Sequence, residues 1–128
     1  MDALARVDNN DPHVVLAVAR LFSGERKVDK ARKWFSRAVA LAPKLGDAHA
    51  AAYAFELAQG DAGTAEAVAA ACEAAEPTHG EAWAPIARAR GARALPRREL
   101  LRRVAAAVQR EEDARRVAAA AGAESGRR

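Results

Sequence analysis

Cysteine occurs once in the 128 residues, at Cys72, so no disulfide can close within the chain. A lone thiol suits a reducing intracellular compartment. Aromatic residues make up only 5%, and the strand formers Ile and Thr are scarce. Any core must therefore be thin and built from small, closely packed side chains. No apolar run approaches the roughly 20 residues that a membrane-spanning helix needs. The opening Met1-Asp2-Ala3-Leu4 lacks the basic-then-apolar order of a secretion signal, so none is expected. The three histidines, His13, His49 and His79, are widely separated, and no His or Cys pair has zinc-ligand spacing. Gly60-Asp61-Ala62-Gly63 lacks the Lys-Ser/Thr that completes a phosphate loop. Glu111 and Glu112, as neighbours, would face different sides of a helix. Catalysis, a metal or cofactor and a small-molecule substrate all lack the residues to carry them, and the expectation is a protein without enzymatic activity or membrane contact.

Alanine, the strongest helix former, is abundant, which predicts helix throughout. The net charge of +4 is unevenly spread. Residues 1–87 hold 9 Lys/Arg against 12 Asp/Glu, whereas residues 88–128 hold 12 Arg against 5 acids. A basic end invites RNA or an acidic surface as neighbour, and Arg97, Arg98, Arg102, Arg103 and Arg110 are the candidate RNA contacts. The plainer alternative is solvated charge, because these arginines are mixed with Glu111, Glu112, Asp113 and many alanines.

Pro43 and Pro77 lie 34 residues apart, the period of a tetratricopeptide unit. Counted from Pro12, the marked places of that pattern hold Val15, Val18, Ala19, Phe22, Ala31, Phe35, Ala38 and Pro43, all chemically suitable. A second unit runs from Gly46 to about His79, with Ala65, Ala69 and Cys72 at the small places of its second helix. A third opens at Gly80, with Trp83, Ile86 and Ala87 in register, and Leu101, Val104, Ala105 and Val108 on one helical face. Helices are expected at about 12–22, 27–41, 47–59, 63–75, 81–90 and 97–109. Asp11 and Pro12 would start the first. Ser23-Gly24, Gly60-Asp61 and Gly91 to Pro96 would break the hairpins. Pro85 is tolerable only in the first turn of its helix, so the third hairpin should be loosened there. The organisation expected is a lead-in at 1–10, a repeat domain at 11–109 and a basic Ala/Arg-rich tail at 110–128. The fold expected is all-α, a right-handed α-solenoid of about three hairpins. Nothing before Asp11 reads as a polar capping helix, and 110–121 is a possible helix whose Ala-rich run has little amphipathic order, so the chain reads as the cut end of a longer array.

Three stretches carry a family resemblance. They are Asp11-Pro12-His13-Val14 running into Val18-Ala19-Arg20-Leu21-Phe22 and Lys30 to Phe35; Leu45-Gly46-Asp47-Ala48-His49 followed by Tyr53-Ala54-Phe55-Glu56-Leu57; and Cys72 to Trp83. Together they resemble the C-terminal half-a-TPR (HAT) repeats of the pre-mRNA-processing factor 6 family, over roughly residues 11–108. His49 departs from the family's usual Trp at that place. The resemblance implies a scaffold that joins the U5 particle to the paired U4 and U6 particles in the spliceosomal tri-snRNP. It implies snRNP proteins as partners, a nuclear location and no catalysis.

Tetratricopeptide register places a partner groove on the first helices. Its candidates are His13, Leu16 and Arg20 in unit one, Asp47, Ala50, Ala54 and Leu57 in unit two, and Glu81 and Arg88 in unit three. An Ala-lined groove admits a partner helix closely. It can equally be filled by the chain's own neighbouring turn. Chaperone adaptors of this fold hold a carboxylate with Lys, Asn and Arg. Here those places hold Leu16, Arg20 and Ala51, which excludes that mode.

Overall fold

The first helix starts where Asp11 can cap it. Its Oδ1 accepts the N–H of His13 at 2.9 Å, and Pro12 fills the first helical position, where its missing N–H leaves no bond unmade. The computed structural model describes residues 11–60 and 62–125, and this cap opens α1 (Pro12–Gly24). There follow α2 (Val28–Leu41), α3 (Gly46–Gln59), α4 (Ala62–Ala75), a short α5 (Trp83–Ala87), a 3-10 turn at Ala92–Ala94 and a long α6 (Arg97–Ser125). The fold is all-α among the described residues, with an isolated bridge pairing Leu45 and His79. The lead-in 1–10, Asp61 of the second turn and the last three residues lie outside the described residues.

The repeat pattern becomes a core. All seven non-proline places of the first unit, from Val15 to Ala38, are buried. Alanines at 31 and 38 let α1 and α2 approach, and each buried large side chain contributes about 1.5–3 kcal/mol. The first hairpin closes through a left-handed residue, Arg26 at φ 61, two places beyond Gly24. Lys27 N–H then donates to the Phe22 carbonyl at 2.9 Å, satisfying one of the last carbonyls of α1. The rings of Phe35 in α2 and Phe55 in α3 meet at a tilt with centres 5.0 Å apart and tie the first hairpin to the second.

The 34-residue proline spacing sets two interhairpin links side by side. The Lys44 carbonyl accepts from Thr78 N–H at 2.9 Å and His79 N–H at 3.2 Å, and Gly46 N–H donates to the His79 carbonyl at 2.7 Å. Lys44 Nζ donates to the Ala75 carbonyl at 2.6 Å, closing the C-terminal end of α4.

The third unit departs from expectation. Its first helix, expected at 81–90, is only Trp83–Ala87. Pro85 falls within the first turn, and Gly91 at φ 82 then turns the chain before another turn of helix can form. With so little of α5 available, α6 lies chiefly along α3, and also on α4 and α5. Leu101, Val104, Ala105 and Val108 are the buried face of α6. The helix does not stop at Gln109, where one was expected to end, but continues to Ser125.

Candidate partner-binding surface

The groove candidates scatter across several environments. Leu16 and Ala50 are buried, Arg20, Asp47 and Ala54 are half-buried, and His13, Leu57, Glu81 and Arg88 are exposed. The inner helix of the second unit meets α6 of its own chain.

Asp47 joins the units. Its Oδ1 accepts Trp83 N–H at 2.9 Å and its Oδ2 accepts Ala82 N–H at 3.0 Å, so it caps α5 from another helix. Two glycines make room for this joint. A Cβ at Gly46 would enter the Trp83 ring, and one at Gly80, at φ 143, would strike the Asp47 carboxylate. Sequence reasoning placed Gly46 and Gly80 only as unit starts and missed this packing. Glu56, buried, takes a two-pronged ion pair from Arg32 at 3.0–3.1 Å and so links α3 to α2.

His49 is fully buried beneath this joint. Its Nε2 lies 2.8 Å from the Pro43 carbonyl and donates to it, while Nδ1 is buried with no partner among the described residues. Burial pushes its pKa below the ordinary 6.5, against a smaller opposing pull from that carbonyl. Cys72 packs inside, and burial, outweighing the nearby Arg97, pushes its thiol up to about 11. That places it far from the thiolate reactivity a nucleophile needs.

Two of the five candidate RNA contacts, Arg97 and Arg98, are engaged with the acidic body, and two more pair within their own helix. Arg98 pairs with Glu66 and, at 2.8 Å, with Glu73. Arg97 donates to the Glu73 carbonyl at 3.1 Å and lies 3.7 Å from Glu76. Arg102 and Arg103 lie 3.4 and 3.5 Å from Glu99, and Arg110 is exposed. The uneven charge of the two halves thus serves to seat α6 on α4. Farther along, Glu112 reaches Arg20 of α1 at 3.5 Å, a contact no sequence pattern announces. Among the described residues no helix is long and apolar enough to cross a membrane, and no group of three or more His, Cys, Asp or Glu could hold a metal ion.

No protein-family model matches the chain. It is 49% identical over 88 residues to pre-mRNA-processing factor 6 of Homo sapiens, a stretch covering 69% of this chain and 9% of that relative. Protein STABILIZED1 of Arabidopsis thaliana is 48% identical over 89 residues, 70% of this chain and 9% of the relative. Pre-mRNA-splicing factor prp1 of Schizosaccharomyces pombe is 35% identical over 85 residues, again 9% of its length. The chain therefore spans about a tenth of the length of these relatives. Over 69% of its length, this chain is a homologue of pre-mRNA-processing factor 6.

Proposed function

We propose that this chain is a protein-binding scaffold segment of a pre-mRNA splicing factor, working in the nucleus and holding snRNP proteins together within the tri-snRNP. Identity of 49% to pre-mRNA-processing factor 6 across a run of helical hairpins carries this reading. The architecture agrees with it: hairpins joined by capped, stitched links make a stiff body, and α-solenoids, right-handed in this reading, offer such bodies as extended binding surfaces. The role is binding, not catalysis: the one thiol is buried and its pKa raised, and the one buried histidine holds a main-chain carbonyl.

The test is retention of splicing proteins from nuclear extract on the tagged 128-residue chain, with and without nuclease. Retention of snRNP proteins after nuclease is the expected result. Loss of all binding with the RNA would instead assign the function to the arginine-rich end, and no retention at all would remove the partner assignment. The engagement of Arg97 and Arg98 by Glu66, Glu73 and Glu76 favours the protein reading, because those guanidiniums already have acceptors.

A further inference from the structure

A cavity of about 480 Å³ opens between the turn of the first hairpin, the end of α3 and the middle of α6. Its floor is apolar, with Phe35, Phe55 and Val108 among its lining. The two phenylalanines are core residues in tilted ring contact, so this floor is fixed by the packing of both hairpins. The rim carries three guanidiniums, those of Arg20, Arg26 and Arg116, against a single carboxylate, Glu112. Glu112 engages the half-buried Arg20 at 3.5 Å, and Arg116 lies 3.7 Å from Asp113 in an exposed pair of the kind that contributes little. Arg26 has no ion pair among the described residues. It also occupies the left-handed position at which a helix end ordinarily takes glycine, so an arginine is held there in spite of backbone strain.

An apolar hollow of about 400 Å³ adjoins the cavity, the two sharing Ala54, Ala58 and Gln109. Leu57, 60% exposed, lines the hollow. An apolar hollow beside an arginine rim complements a chain segment that is itself apolar at one residue and acidic around it. Nucleic acid fits less well, because Phe35 and Phe55 are buried and offer no free ring face for a base to stack on.

We propose that the hollow and the cavity together bind an acidic segment of a partner protein, with an apolar side chain seated against Leu57 and flanking carboxylates on Arg20, Arg26 and Arg116. This rests on the protein-binding reading above and names the partner's chemistry. The probe is a fluorescein-labelled peptide with one leucine flanked on each side by two glutamates, and its counterpart with glutamine at every glutamate. Fluorescence anisotropy with the whole chain should show the acidic peptide binding about tenfold tighter than the glutamine peptide, a difference that shrinks as salt rises. The double variant Arg26→Glu/Arg116→Glu should lose that preference. Both side chains are exposed, and a circular dichroism spectrum checks that the variant is folded. Ala58→Trp, at an exposed lining residue, should block both peptides by volume without touching charge. Equal affinity for the two peptides, binding of neither, or unchanged binding by the charge-reversed variant would overturn the proposal. If that variant still retains snRNP proteins from nuclear extract, the scaffold reading stands and this site alone falls.

Discussion

Asp47 illustrates how a single side chain can hold two repeats together. It lies in the first turn of α3, where an acid is favourable, and also supplies the N-terminal cap that α5 lacks in its own sequence. Asp47→Ala should cost about 1–2 kcal/mol, the upper range for losing a cap, and urea unfolding measures it. Asp47→Asn, which keeps one acceptor oxygen, should cost less. His49 adds a pH dependence. Its folded pKa lies below 6.5, so as pH falls the unfolded chain takes up the proton first. The stability tied to His49 is therefore full above about pH 6.5 and declines as pH falls toward the folded value. Urea midpoints should be lower at pH 5.5 than at pH 7.5. His49→Gln keeps a donor for the Pro43 carbonyl but cannot titrate, and should show a shallower decline. A parent protein with equal midpoints at the two pH values would mean that His49 protonates as readily folded as unfolded.

At the scale of the helix, α6 has two halves with different support. From Leu101 to Val108 it presents a buried face to α3, whereas every residue from Asp113 to Gly122 is exposed. The outer half rests on its own propensity and on local pairs, such as Gln109 with Asp113 at 3.0 Å and Arg115 with Glu111 at 3.7 Å. Hydrogen exchange should therefore find amides beyond Asp113 at least about tenfold faster than those of 101–108, because fraying there requires no tertiary opening. The first two hairpins were legible in the sequence because Phe22, Ala31, Phe35 and Ala38 in the first, and Ala65, Ala69 and Cys72 in the second, answer a fixed register with buried side chains. The outer half of α6 was not, because it has no apolar face and periodicity is blind to a helix held by alanine and ion pairs. The role of Asp47 in joining the units was hidden for a related reason: its partners are main-chain N–H groups, which leave no mark in a pattern of side chains. The register of α3 marks its inner face, but nothing in that register tells which element covers it, and the shortness of α5 decided that α6 would.

The molecule as a whole should unfold as one unit, although its repeats are separable in sequence. In an ideal solenoid each unit touches only its neighbours, and ends can melt before the middle. Here the Pro43 and Pro77 links are stitched to each other, Gly46 is packed under Trp83, and α6 spans from α4 to Arg20 of α1. Losing α2 or α3 would break the Phe35–Phe55 contact, and losing α3 or α5 would empty the Trp83 socket, and so weaken the rest. The two tryptophans report on this from different places. Trp34 lies half-buried in the first hairpin, and Trp83 is buried in the joint between the second and third units. Two variants, Trp34→Phe and Trp83→Phe, each leave one reporter. The Trp83 replacement also removes core volume and lowers stability, so each variant is compared with its own circular dichroism rather than with the other. In each, the fluorescence and circular dichroism transitions in urea should coincide, as a two-state chain requires. A fluorescence midpoint from Trp34 well above or below the circular dichroism midpoint of the same variant would show that the first hairpin folds apart from the rest. The stitching between the links would then be too weak to make the repeats cooperative.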